Sequence, residues 1–309
     1  MKLQVCILLI AFTIQSTIAR ERIFVENGIL MMKELSIRRP EDENKLDHPH
    51  DAEVWMESVN IAILSANMLS RLSNATKLNV RDGVLSTVEI PVHLENIDLK
   101  SCHTNQVLID FGRGDYKLKV LYVHHNRLQK IPENLNSLKH LKELVLNDNE
   151  IESVDLNSFQ GLTELRVIAL QRNNITSISS RQHKLVPLPS LVDFYLDQNH
   201  LTELSFSSLL AESVTTVHFD ENRLTMVLGL TSAFPALTTI RLHGNPLDCA
   251  WTKYVLEELQ SRNVTVADLR EGTCLNGTTV ERLVPEEKPK LRSVLEARAY
   301  RIRGRVFRD

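Results

Sequence analysis

Apolar residues and asparagines recur at fixed spacing through the middle of this chain. Six segments place an apolar residue at their first, fourth and sixth positions and an asparagine at their ninth. These segments are Leu118–Asn126, Leu141–Asn149, Leu165–Asn173, Leu191–Asn199, Val214–Asn222 and Leu237–Asn245. Their asparagines lie 23, 24, 26, 23 and 23 residues apart. One such unit cannot bury its apolar side alone, so the pattern predicts a solenoid of stacked turns with one short strand per turn.

The asparagine after each strand is expected to be buried. Alternate apolar residues of a strand point to one side, here inward, and the chain then turns. Backbone groups at the turn lack ladder partners, and a side-chain amide can satisfy both N–H and C=O groups. Three weaker segments come earlier, Val59–Asn67, Ala75–Gly83 and Leu94–Cys102, with intervals of 16 and 19 residues. We therefore predict about nine repeats, with inward structural positions at Asn67, Cys102, Asn126, Asn149, Asn173, Asn199, Asn222 and Asn245.

The same register predicts which residues face outward from the strands. One row holds Ile63, Asn79, Asp98, Tyr122, Val145, Ala169, Tyr195, His218 and Arg241. A second row, two residues later in each repeat, holds Ser65, Arg81, Lys100, His124, Asn147, Gln171, Asp197, Asp220 and His243. Neighbours in a row should have Cβ atoms about 5 Å apart.

The late repeats carry the outward residues best suited to an interface. Aromatic, arginine and histidine side chains are typical of interface centres. The predicted ligand-binding residues are Tyr122, His124, Tyr195, Asp197, His218, Asp220, Arg241 and His243. An ordinary solvated face is an equally weighted interpretation. Two aspartates and two histidines could also converge on a metal ion, but strand spacing alone seldom supplies ligand geometry, so no metal site or cofactor is predicted.

Composition and termini indicate a secreted chain. Residues 1–19 resemble a signal peptide, with Lys2 before an apolar run and Thr17-Ile18-Ala19 as the cleavage site. No later stretch approaches the roughly 20 apolar residues of a membrane span. A formal net charge of −3 argues against a nucleic-acid partner. Sequons for N-glycosylation begin at Asn74, Asn174, Asn263 and Asn276.

Three cysteines remain after removal of the signal. Cys102 occupies the asparagine position of its repeat, where a small buried thiol is the favoured interpretation. The repeats resemble those of the extracellular leucine-rich-repeat superfamily over residues 54–280. That resemblance implies an α/β horseshoe with a parallel concave sheet, short helical or irregular convex segments and a disulfide-linked C-terminal cap. The run from Asn245 to Cys249 resembles the start of that cap, and the resemblance implies a Cys249–Cys274 disulfide.

The predicted organisation has five parts. Residues 1–19 are the signal, 20–53 a polar lead-in or N-terminal cap, 54–245 the repeats, 246–284 the C-terminal cap and 285–309 a basic tail. The tail is interpreted as solvated, with contact to an acidic partner as the alternative. No nucleophile, phosphate-loop or zincin motif is present, so no enzymatic activity is predicted.

A narrower resemblance is to short members of the mosquito leucine-rich immune proteins. It rests on the signal, the irregular first repeats and the lack of a cysteine-rich N-terminal cap. The double-cysteine segment and coiled coil of longer members are absent here, so their dimers and partner binding do not carry over. The resemblance implies a secreted binder of protein or pathogen-surface ligands in innate immunity, of unspecified oligomeric state. A matrix or cell-surface interaction protein in development is the alternative.

Overall fold

A computed structural model describes residues 21–48, 51–112, 114–180, 185–267 and Cys274. The predicted signal peptide, the sequon at Asn276 and the basic tail lie outside these residues. The dominant element is a twelve-stranded sheet, in which eleven neighbouring strands run parallel to one another and follow the order of the chain. Its strands are β1 (Arg22–Glu26), β2 (Ile29–Lys33), β4 (Glu53–Glu57), β6 (Lys77–Arg81), β8 (Asn96–Lys100), β10 (Val120–His124), β11 (Glu143–Val145), β13 (Val167–Ala169), β16 (Asp193–Tyr195), β19 (Thr216–His218), β21 (Thr239–Arg241) and β22 (Thr265–Ala267). Only β1 pairs antiparallel, as a hairpin with β2.

The return segments of the turns are short. A second parallel sheet joins β3 (Ser36–Ile37), β5 (Asn60–Leu64), β7 (Val84–Glu89) and β9 (Gln106–Leu108). Three two-stranded pairs follow: β12 (Ser153–Asp155) with β14 (Ser177–Ser179), β15 (Val186–Pro187) with β18 (Leu209–Leu210), and β17 (Leu204–Ser205) with β20 (Val227–Leu228). The helices are α1 (Ala66–Ser70), α2 (Leu230–Ala233) and α3 (Cys249–Ser261), with 3₁₀ segments at Pro40–Leu46, Leu135–Ser137 and Leu156–Phe159. The predicted solenoid with a parallel sheet is confirmed.

The asparagines at the inward turn positions are buried, as the spacing predicts: Asn126, Asn149, Asn173, Asn199, Asn222 and Asn245. Asn173 shows the arrangement: its Nδ2 donates to the carbonyls of Leu146 and Leu170, each at 3.0 Å. Its Oδ1 accepts the backbone N–H of Ile151, also at 3.0 Å. The amide therefore joins two successive turns. Losing it would leave the buried N–H of Ile151 unpaired, at about 1–3 kcal/mol.

The prediction that Asn67 lies inside the stack is wrong. Asn67 is exposed and lies in α1. Ser65 directly follows β5 and caps this helix, because its hydroxyl accepts the backbone N–H of Met68 at 3.1 Å. Ile63 and Ser65 are accordingly not on the concave sheet, since β5 belongs to the second sheet.

A residue in the left-handed backbone conformation identifies the inward turn position in the first turns. A residue with positive φ directly precedes the inward turn position in every turn, from Glu34 before Leu35 to Gly244 before Asn245. Ser58 before Val59 and Asp82 before Gly83 follow the same rule. The first inward turn positions are thus Leu35, Val59 and Gly83, each 24 residues from the next. The parallel stack begins at β2, well before the predicted start at residue 54.

The first turns have no asparagine at the inward turn position, and strand pairing joins neighbouring turns there. The N–H of Asn60 donates to the carbonyl of Leu35, and that of Val84 donates to the carbonyl of Val59. The second sheet therefore pairs backbone groups at and beside the turn position. Glycine is required at position 83, because a Cβ atom there would lie 2.6 Å from the Val59 carbonyl oxygen.

The C-terminal end of the stack is closed by α3. Trp251, Val255 and Leu259 are buried, whereas Tyr254 on the same helix is 40% exposed. Asp248 caps the helix by accepting the N–H groups of Ala250 and Trp251. The predicted Cys249–Cys274 disulfide is present. Within the described residues, no helix has the length and apolarity needed to cross a membrane.

Candidate functional site

Three adjacent strands carry the centre of the candidate site. Tyr195, His218 and Arg241 occupy matching outward positions of β16, β19 and β21. The rings of Tyr195 and His218 lie 4.7 Å apart at a tilt of 48°. Tyr195 and His218 are half-buried and Arg241 is exposed. Strands about 4.8 Å apart carry these side chains, so their backbone positions relative to one another are fixed.

A row of charged residues lies directly beyond these strands. The parallel hydrogen bonding continues there, from Gln198 N–H to the Asp220 carbonyl at 3.0 Å and from Glu221 N–H to the His243 carbonyl at 2.8 Å. This continuation aligns Asp197, Asp220 and His243 as the register predicts. Asp220 is only 6% exposed. Its Oδ2 lies 3.5 Å from Nε2 of His243, while its Oδ1 has no hydrogen-bond partner in the part of the chain that the structure describes.

Burial and mutual repulsion shape the charges of this cluster. Burial raises the pKa of Asp197, and the neighbouring Asp220 carboxylate raises it further. Burial also lowers the pKa of His218, with a further contribution from the positive charge of Arg241. For Tyr195, burial and the nearby Asp193 carboxylate raise the pKa. For each of these three side chains, the shift in pKa favours the neutral form.

Two overlapping sets of side chains have the spacing of a metal site. Asp197, His218 and Asp220 each offer a ligand atom within 4.8 Å of the other two. Asp220, Glu221 and His243 form a second set with the same property. Asp220 belongs to both. The sequence prediction of no metal site had assumed that strand spacing would not bring these atoms together.

Tyr122 and His124 lie in a separate upstream cluster. Both are on β10, and β11 and β13 separate them from β16. Those intervening strands present Val145 and Ala169 at the matching positions. Tyr122 donates a hydrogen bond from its hydroxyl to Glu143, and burial together with this carboxylate raises its pKa. His124 Nε2 lies 3.1 Å from Asp98 Oδ1. The eight predicted residues thus form two clusters on one face.

Trp55 is a member of the upstream cluster that the sequence interpretation missed. It occupies the outward position of β4, paired in register with Asn79. The guanidinium of Arg81 lies 4.8 Å from the centre of its ring, a cation–π contact. Counting back 24 residues from Gly83 would have found Val59 as the turn position and Trp55 as an outward residue.

The remaining predicted positions fall into two groups. Asn74, Asn174 and Asn263 are exposed, which leaves room for glycans at these sequons. Cys102 is a buried free thiol, and its Sγ lies 3.1 Å from the Lys100 carbonyl oxygen. Burial raises its pKa to about 12, so the reactive thiolate is not formed at neutral pH.

Sequence comparisons identify repeats in the central part of the chain. A leucine rich repeat family model matches residues 139–201, and a model of two leucine rich repeat copies matches residues 117–158. Keratocan from Danio rerio is 23% identical over 222 residues, covering 60% of this chain and 63% of keratocan. Lumican from Gallus gallus is 30% identical over 186 residues, covering 60% of this chain and 50% of lumican. The chain thus spans half to two-thirds of the length of these two relatives.

Solved structures share the fold. The leucine-rich repeat domain of LRIM1 has a TM-score of 0.59 at 15% identity, covering 79% of this chain and 83% of that chain. In the LRIM1/APL1C complex the match has a TM-score of 0.60 at 16% identity, covering 79% and 55%. The corresponding domain of APL1B gives 0.57 at 19% identity, covering 78% and 67%. With the buried asparagines, the family models and these similarities show leucine rich repeats in the central part of the chain and a leucine-rich-repeat fold.

Proposed function

We propose that this protein is a secreted recognition protein of innate immunity. It binds a protein or a pathogen-surface ligand through the concave sheet. The observation that carries the proposal is the alignment of Tyr195, His218 and Arg241 on three adjacent strands. Such residues supply large contact area, hydrogen bonding and charge at low conformational cost, as interface centres do.

The fold neighbours support a protein partner and an immune role. LRIM1, whose repeat domain has this fold, is found in a complex with APL1C. A solenoid sheet of this kind presents a broad concave surface that suits an extended partner surface. By analogy, we propose a protein partner and an immune role for this chain.

Secretion is supported by three features that agree with one another. The N-terminal sequence has the pattern of a signal peptide. The Cys249–Cys274 disulfide is typical of oxidising compartments. The sequons at Asn74, Asn174 and Asn263 are at exposed positions, where a glycosylating enzyme can reach them.

A capture experiment tests the proposed binding face. The mature protein is immobilised, exposed to body fluid and to bacterial cell-wall preparations, and the bound material is identified. Tyr195→Ala combined with Arg241→Ala should lower capture of the same ligand at least tenfold. The matched control removes the same residue types elsewhere, at Tyr254 in α3 and at the exposed Arg223. Equal capture by both variants would place the binding site off this face.

A matrix or cell-surface role in development is the second candidate. The similarity to keratocan and lumican favours it, because these are extracellular repeat proteins. The same concave face would serve that role. Induction of the transcript by infection supports the immune function, whereas expression confined to developing tissue supports the second candidate.

A further inference from the structure

Asp220 is a buried carboxylate with too few partners. It is 6% exposed, and its buried Oδ1 atom has no hydrogen-bond partner among the described residues. The other oxygen, Oδ2, lies 3.5 Å from His243 Nε2. Removing a carboxylate from water without compensating bonds is costly, and native proteins seldom leave such a group unpaired. The incomplete hydrogen bonding of the Asp220 carboxylate therefore points to a ligand that binds its Oδ1 atom.

The neighbours of Asp220 identify the charge of that ligand. Asp197 lies on the adjacent turn, near enough for the two carboxylates to repel each other. Arg241 and Arg172 offset part of this repulsion, but no described ion pair joins Arg241 to either aspartate. A cation placed between the carboxylates would remove the repulsion and supply the partner that Oδ1 lacks.

The donor atoms identify the class of cation. We propose that Asp197, His218 and Asp220 bind a divalent transition metal ion, with zinc as the representative. Imidazole together with carboxylates suits zinc and its neighbours, whereas calcium takes oxygen donors. The three donor atoms lie within 4.8 Å of one another. Metal–ligand bonds of about 2.0–2.2 Å in a tetrahedral site place the donor atoms roughly 3.3–3.5 Å apart. Side-chain rotations that move the donor atoms by about 1 Å would therefore bring them to this spacing.

His243 is assigned a supporting part. Its Nε2 faces the Oδ2 atom of Asp220, so it can donate to that oxygen and leave Oδ1 for the metal. A partner of this kind orients a metal-binding carboxylate, and its loss typically weakens metal affinity by about 10–100-fold. Tyr195 and Arg241 flank His218 on the adjacent strands.

Zinc titration of the untagged, secreted full chain tests the proposal. Calorimetry in chelator-treated buffer at neutral pH should show one zinc ion per chain. Cobalt should bind the same site with an absorption spectrum of mixed nitrogen and oxygen coordination. Asp220→Asn and His218→Gln should each weaken zinc binding by on the order of 100-fold, and His243→Gln by on the order of tenfold.

A matched control uses the second histidine–aspartate contact on the same face. His124→Gln removes a histidine that also faces an aspartate, Asp98, but belongs to no described metal-spaced set. It should bind zinc as the parent does. Circular dichroism melting confirms that each variant is folded, and His218→Gln keeps the test available if Asp220→Asn does not fold.

Two results would overturn the assignment. One is the absence of zinc binding by the parent chain. The other is equal loss in His124→Gln and His218→Gln, which would indicate unspecific binding by surface histidines. The titration contains no protein partner, so its failure is distinguishable from failure of the proposed ligand recognition, which is tested with Tyr195 and Arg241.

Discussion

The side-chain amide of Asn173 bonds to the backbone of the preceding turn on both its oxygen and its nitrogen. Oδ1 accepts the Ile151 N–H, and Nδ2 donates to the Leu146 carbonyl. The residue is 5% exposed, so water does not replace these bonds. Each inward asparagine from Asn149 to Asn245 repeats this connection with its own preceding turn.

Replacing this amide should destabilise the solenoid. Asn173→Leu leaves the buried N–H of Ile151 without a partner, at about 1–3 kcal/mol. It also removes one of the two asparagine donors to the Leu146 and Leu170 carbonyls, which keep their bonds from Asn149 and Asn199. We expect the free energy of unfolding to fall by at least about 2 kcal/mol, measured by urea denaturation. The matched control is Asn67→Leu, which makes the same substitution at an exposed position of α1. Equal losses in the two variants would contradict the corrected register.

The second prediction concerns the ion pair between Asp148 and Arg172 on adjacent turns. Arg172 Nε lies 2.5 Å from Asp148 Oδ1, and its Nη2 lies 2.7 Å from Oδ2. Burial acts to raise the pKa of Asp148, but hydrogen bonds from Arg172 and Asn147 outweigh it and the pKa is lowered. The Arg172 side chain is 46% exposed, so solvent screening keeps the pair to about 0.5–1 kcal/mol.

The sign of the pH effect follows from the lowered pKa. The unfolded chain protonates Asp148 near the ordinary aspartate pKa of about 3.9, and the folded chain only at a lower pH. The contribution is therefore complete above about pH 4 to 5 and is lost as pH falls through the folded pKa. A double-mutant cycle with Asp148→Asn and Arg172→Met should give coupling at pH 7 that shrinks toward pH 2 to 3. Coupling that grows as pH falls would refute this sign.

Much of the fold follows from the sequence because one chemical need repeats. The turns that end at Asn126 and at the later turn asparagines can be recognised in the sequence, because each combines the apolar spacing with an asparagine at the turn position. The first turns lack this pattern, because Val59 and Gly83 occupy the turn position. Val59, Ala62 and Leu64 satisfy the same template at the wrong place, which led to Asn67.

The sequence predicts which strands carry the candidate site, but it does not predict the contacts between its side chains. Register alone assigns Tyr195, His218 and Arg241 to one row, and the structure agrees. Contacts such as Asp220 with His243 depend on side-chain rotamers, about which strand spacing says nothing. For the same reason, the separation of Tyr122 from Tyr195 follows from the register, whereas the bond from Tyr122 to Glu143 does not.

The third prediction concerns Arg262, which fastens the C-terminal cap to the last repeat. Its Nη1 donates to the Thr231 carbonyl at 3.0 Å, and its Nη2 donates to the carbonyls of Phe234 and Pro235, each at 2.8 Å. These carbonyls surround the end of α2, so the guanidinium joins the end of α3 to the convex side. Charged hydrogen bonds of this kind contribute about 1.5–3 kcal/mol.

Arg262→Met keeps the aliphatic stem and removes all three donors, so the cap should open more readily. We expect faster amide hydrogen exchange in α3 and in the segment from Leu230 to Phe234, with exchange in the central strands unchanged. Lys253→Met is the matched control, because it removes a positive charge from an exposed position of the same helix. Since opening is local, the exchange difference should be confined to the cap and its contact segment. Uniformly faster exchange across the whole sheet would show instead that Arg262 stabilises the solenoid globally, contrary to its assignment as a local clamp.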